Sequence, residues 1–134
     1  MIMPGIFQKL NLKNCKEILV LNPPQSFEAE LVALEGVTIH CSLAEVEEAG
    51  FILAFVIRKM DLDDLAGKVA ARALGDAVVW FAYPKGTSKK YHCDFNRDTG
   101  WDALSAAGFR PVRQVAIDED WSALRFRRTE YVKS

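Results

Sequence analysis

The sequence predicts an α/β fold of three layers: a mostly parallel, doubly wound sheet of about six strands in the order 2-1-3-4-6-5, with an antiparallel last strand. Three observations carry this. Short apolar runs of strand type, at 16–21 and 50–56, alternate with stretches whose apolar residues recur at helical spacing. The run "GFILAFV" is apolar throughout, as strands buried on both faces of a parallel sheet are. Near the end, "PVRQVAID" and "WSALRFRR" both alternate and are separated by little more than "EDW". So short a connection joins antiparallel strands, because a parallel return needs a crossover of about a dozen residues or more.

The elements follow in order. The first strand stops at Pro23 and Pro24, which cannot donate ladder hydrogen bonds. Ser26 reads as the N-cap of a short helix with Phe27, Leu31, Val32 and Leu34 on its inner side, ended by Gly36. "VTIHC" is the second strand, and "SLAEVEEA" has room for one short helix before the third. Asp61 is the expected cap of the next helix, with Asp64 in a first turn that favours negative charge. Leu62, Leu65, Val69 and Leu74 form its apolar stripe, and Gly75 ends it. "DAVVWFAYP" is the fourth strand, closed by Pro84 and followed by the polar loop "KGTSKKYHC". "GWDALSAAG" reads as a helix with Asp98 ahead of it as cap and Gly108 as its stop.

At 134 residues the chain has the size of one domain, read here as 1–134. A net charge of −1 gives no bulk electrostatic case for nucleic acid or an anionic membrane as partner. The longest apolar run is too short to span a bilayer. The opening "MIMPGIFQKLNLKNC" has neither the charged leader nor the apolar core of a signal peptide. Cys15, Cys41 and Cys93 are an odd, sparse set, which fits a reducing cytoplasm better than a disulfide framework.

The layout is similar to the class I methyltransferase fold, whose last strand inserts antiparallel beside the fourth. "VVWFAYPKG", "ALSAAGFRPVRQVAID" and "WSALRFRR" resemble the C-terminal half of such a domain. The combination of "LVLNPP", "WFAYPKG", "DFNRDTGWDAL" and "VRQVAIDEDWSALRFR" resembles a family of small bacterial proteins with no established activity. It extends over nearly the whole chain and is most specific in "DWSALRF". The methyltransferase likeness implies an S-adenosylmethionine site built on a glycine-rich first turn and an acidic residue ending the second strand.

The residues at those two places are of other kinds. The first turn reads Asn22-Pro23-Pro24-Gln25-Ser26, and the second strand ends His40-Cys41-Ser42 with no carboxylate before Glu45. Pro23 and Pro24 remove amide donors that a phosphate would use, and Glu28 and Glu30 oppose an anion at the helix start. "NPP" is similar to the Asn-Pro-Pro-aromatic motif of amino-methylating nucleic-acid enzymes. That motif follows the fourth strand of the fold, however, and Gln25 holds the aromatic position here. The expectation is a chain without a cofactor, S-adenosylmethionine included.

Other chemistries find little footing. His40-Cys41 and His92-Cys93 carry metal-ligating types. Neighbouring strand residues point to opposite faces, though, and strands two and four stand about 14 Å apart, so no metal site is expected. No nucleophile-elbow motif supports a catalytic triad. Asp94 and Asp98 lack the further acidic ligands of a calcium loop. The short basic run "RFRR" is a thin basis for nucleic-acid binding.

Open α/β sheets bind ligands beyond the carboxyl ends of their strands, where the strand order reverses. That principle gathers Asn22, Ser26, Arg58, Lys59, Lys85, Trp121 and Ser122 as a candidate ligand-binding rim. It suits an anionic small molecule or an acidic protein partner. The expected function is a non-catalytic binding or interaction module, with a homodimer through the antiparallel edge left open. The alternative is a small enzyme, an atypical methyltransferase or another, acting on an anionic small molecule with Lys85 as its charged group.

Overall fold

The computed structural model describes residues 5–12, 16–95 and 99–132. Its sheet holds β1 (Glu17–Leu21), β2 (Thr38–His40), β3 (Ala49–Phe55), β4 (Ala73–Pro84), β5 (Phe109–Ala116) and β6 (Trp121–Arg128). The order is β2-β1-β3-β4-β6-β5, as the sequence predicts. The pairs β1–β2, β1–β3 and β3–β4 are parallel, and β6 runs antiparallel to both β4 and β5.

Strand alternation divides the core in two. Leu19, Leu21, Ile52, Ala54, Val79 and Phe81 face α3 (Lys59–Arg72) and α4 (Asp102–Ala106), which contribute Leu62, Leu65, Val69 and Leu104. Ile18, Val20, Phe51, Leu53 and Trp80 face the other side. There α1 (Gly5–Lys9) brings Phe7, the turn before α2 (Glu28–Ala33) brings Phe27, and Leu10, Leu12 and Leu34 fill in. The small helix α1 has no sequence signature of its own. It is held because Phe7 and Leu10 are fully buried and the Trp80 indole Nε1–H donates to the Leu10 carbonyl at 2.7 Å.

Several local expectations are corrected. Ser26 is no N-cap: it lies inside a 3-10 turn, Gln25–Phe27, which Pro24 opens by accepting from the Phe27 N–H at 2.9 Å. That tighter turn rephases α2, so Phe27 and Leu34 point inward while Val32 is 85% exposed. The run 42–48, ahead of β3, holds only a 3-10 turn, Leu43–Glu45, closed by a Ser42–Glu45 capping box.

Helix α3 begins at Lys59, ahead of Asp61, which sits in its first turn. The carboxylate that caps it comes from elsewhere in the chain: Asp94 Oδ1 accepts from the Lys59 N–H at 2.7 Å. The helix ends at Arg72 rather than Gly75. Arg128 Nη2 donates to the carbonyls of Ala70 and Ala73, satisfying acceptors that a helix C-terminus leaves open. Leu74 and Gly75 then belong to β4, in a bulge where the register jumps from Ala49↔Ala73 to Phe51↔Val78. Gly75 takes a φ of +57° there, and Leu74 is exposed instead of joining a helical stripe. Asp98 and Cys15 lie outside the described residues.

Candidate functional site

The strand order reverses between β1 and β3, with α2 on one face and α3 on the other. A crevice of about 270 Å³ opens at that point, beyond the carboxyl ends of the strands. Asn22 and Pro24 line it from the end of β1, and Phe55, Val56 and Ile57 from the end of β3. Asp61 contributes from α3, Tyr91 from the long loop after β4, and Trp121 from the start of β6.

The aromatic wall is well fixed. Trp121 packs edge-on against Phe55 at 5.1 Å between ring centroids and tilted against Tyr91 at 5.0 Å. Asp118 Oδ1 accepts from the backbone N–H groups of Asp120 and Trp121, which sets the entry to β6. Ser88 donates to Asp120 Oδ1 at 2.8 Å, and its Oγ accepts from the Lys90 and Tyr91 N–H groups. The loop that carries Tyr91 is thereby tied to the turn that carries Trp121. Trp121 is only 2% exposed, and its buried Nε1–H has no acceptor among the described residues. A buried donor left unpaired costs about 1–3 kcal/mol.

The first turn meets one of the conformational demands usually left to glycine. Asn22 has a φ of +55°, in the left-handed region that Asn tolerates better than other side chains do. Asn22→Gly should therefore leave stability within about 0.5 kcal/mol of the parent. Asn22→Val should lose about 1–2 kcal/mol, because a β-branched residue is poorly accommodated there. Urea unfolding of the two variants checks this, and equal losses would contradict it.

The other features of an S-adenosylmethionine site do not fit. Pro24 lines the crevice and has no amide N–H to offer a ligand. Glu45, the first carboxylate after β2, is turned back on its own backbone, accepting from the N–H groups of Cys41 and Ser42 at 3.1 Å each.

The residues of the expected rim are distributed over several places. Asn22 and Trp121 share the crevice. Lys85 lies in a second, smaller cleft of about 120 Å³ with Tyr83, Ser88, His92 and Cys93, and its backbone N–H is held by the Asp120 carbonyl. Tyr91 separates the two clefts and lines both. Lys59 pairs with Asp63 at 2.8 Å, a contact that raises the lysine pKa. Arg58 is exposed at the start of α3, and Ser26 is exposed on its 3-10 turn. Ser122 is buried and takes a hydrogen bond from Gln114 Nε2. Phe55, Ile57 and Tyr91 were missed as lining residues. Their types signal only core, and it is the paired ends of β3, β4 and β6 that bring them to one place.

Nucleophile chemistry is poorly served. Burial pushes the Cys93 thiol above its ordinary pKa, and burial together with Glu45 does the same to Cys41, so neither is poised as a thiolate. His40 approaches Glu17 at 3.3 Å and Glu45 at 4.0 Å. Among the described residues no group of three His, Cys, Asp or Glu side chains is placed to hold a metal ion, and no helix is long and apolar enough to cross a membrane.

Neither a protein-family profile nor a curated protein matches the sequence. Solved structures do match the fold. A SAM-dependent methyltransferase from Aquifex aeolicus superposes with a TM-score of 0.64 at 11% identity, covering 92% of this chain and 87% of that one. A ribosomal protein L11 methylase from Lactobacillus delbrueckii subsp. bulgaricus does so at 0.58 and 13% identity, covering 92% and 76%. The [4+2]-cyclase SpnF gives 0.60 at 8% identity, covering 92% and 78%. One architecture carries methylases and a cyclase, so at these identities it fixes a shape and not a reaction. The chain has a methyltransferase-like α/β fold.

Proposed function

We propose that the chain is a non-catalytic binding module that holds a small planar ligand in the β1/β3 crevice. The observation that carries this is the crevice lining: three aromatic rings, two aliphatic side chains, a proline, one amide and a single carboxylate. That composition has the character of a binding pocket, with a few polar groups to set orientation. It offers no nucleophile with an adjacent base. Asp61 being the charged group, the lining suits a neutral or cationic heteroaromatic better than the anion first expected. The β5 edge carries Pro111, a bulge and two arginines, features that oppose strand addition, so a single chain is the proposed binding unit.

A thermal-shift screen tests the reading, using purine and pyrimidine nucleosides, heteroaromatic amines, anionic metabolites, S-adenosylmethionine and its demethylated product. A ligand at a hundred times its Kd should stabilise the fold by about 2.7 kcal/mol. The expected responder is a neutral or cationic planar compound whose shift shrinks in Trp121→Phe. The alternative, an atypical methyltransferase, draws support from the left-handed turn at Asn22 and from the methyltransferase structures of like fold. A shift with S-adenosylmethionine, followed by methyl transfer to any acceptor, would replace the module with that enzyme.

A further inference from the structure

The net charge of −1 conceals a segregation. Between residues 17 and 64 the chain has ten carboxylates and two lysines or arginines, whereas β5 and β6 carry five arginines and no carboxylate. Four of these arginines share one face. Arg113 stands opposite Arg125, and Arg110 opposite Arg127, in the register of the antiparallel pair. Like charges directly opposite on a sheet are destabilising, so this arrangement costs the fold stability. The fifth, Arg128, points to the other face and is structural: it caps α3 and stacks on Phe109 at 4.9 Å.

Compensation within the patch is partial. Asp76, held out on the β4 bulge, accepts two hydrogen bonds from Arg127, at 3.0 and 2.6 Å. Arg110, Arg113 and Arg125 make no ion pair with the described residues, and the buried Nε–H of Arg125 has no acceptor among them. Burial, with Arg127 and Arg113 nearby, lowers the Arg125 pKa below the ordinary arginine value. At the margin, a Cβ on Gly75, the neighbour of Asp76, would lie 3.9 Å from the hydroxyl of Tyr131, a residue 41% exposed.

We propose that this β5–β6 face docks single-stranded nucleic acid, independently of the crevice. Guanidinium forks match phosphate oxygens, and two successive cross-strand pairs present a repeating cation to a repeating anion. An exposed tyrosine beside a basic surface adds the stacking platform on which single strands settle. Arg110, Arg113, Arg125 and Arg127 hold the backbone, and Tyr131 takes a base.

Fluorescence anisotropy with labelled twelve-residue oligouridine and oligothymidine tests this between 50 and 200 mM salt. Binding should weaken with salt at a log–log slope of about −2 to −3, as three or four phosphate contacts require. The double variant Arg110→Gln/Arg113→Gln, both at exposed positions, should melt at or above the parental temperature because it relieves the opposed like charges, lose roughly tenfold in affinity and flatten the slope by about 1.4. Tyr131→Ala should weaken binding roughly tenfold with its slope unchanged. Parental affinity in the arginine double variant, or no binding at 50 mM salt, overturns the proposal. So does a glutamate peptide of equal length that displaces the oligonucleotide as well as unlabelled oligouridine does, since the surface would then serve an acidic protein segment.

Discussion

Trp80→Ala should be among the most damaging single changes in this protein, lowering the unfolding free energy by about 3–5 kcal/mol. Trp80 is fully buried in the centre of β4, between Leu53 of β3 and Arg125 of β6 in the sheet register. It also joins the N-terminal segment to the sheet through its bond to the Leu10 carbonyl. Truncation would open a cavity under α1 and leave that carbonyl without its donor. Trp80→Phe separates the two effects. It keeps most of the apolar bulk but no N–H, and should cost about 1–3 kcal/mol. Urea denaturation with unchanged m-values gives both numbers. A loss below about 1 kcal/mol for the alanine variant would mean that α1 does not cover this face in solution.

Gly100→Ala should cost about 2–6 kcal/mol, a large effect for the addition of one methyl group. Gly100 has a φ of +96°, where an L side chain is strained, and strain of that kind costs about 1–3 kcal/mol. Its Cβ would also lie 2.7 Å from the Cβ of Phe95, too close for either to stay in place. Phe95 cannot move freely, because it packs against Trp101 at 5.2 Å and Tyr83 at 5.9 Å in the core below the second cleft. Overpacking of that kind adds about 1–3 kcal/mol. Calorimetric melting of the variant checks the sum, and a melting temperature within a degree of the parent would refute it.

Much of the fold was legible because connection length constrains strand direction. The brief "IDED" link between β5 and β6 admits only an antiparallel pair, and the helical crossovers before β4 require parallel neighbours. The ends of elements were less legible, because distant groups decide them. Asp94 caps α3 across 35 residues of sequence, and Arg128 closes its far end, so the cap signal expected at Asp61 and the stop expected at Gly75 were both superseded. The site was half legible. Topology places Asn22 and Trp121 at the sheet's carboxyl edge, but whether a lysine there faces the crevice depends on the path of the 85–95 loop. Ser88 and Asp120 hold that loop so that Tyr91, rather than Lys85, reaches the crevice. The arginine face was illegible for a different reason. Cross-strand register, including the shift between Pro111 and Arg113, has no mark in a linear sequence.

The bond between Trp80 and Leu10 spans 70 residues of chain. Strand β1 likewise finds β3 only after β2 has been made. Contacts so distant in sequence slow folding, since loop-closure entropy is lost before any of them can form. During synthesis, the sheet face destined for Phe7, Leu10 and Leu12 has no indole to receive them until β4 has emerged. Residues 7–12 are made well before Trp80 and must therefore wait for β4 before they can dock.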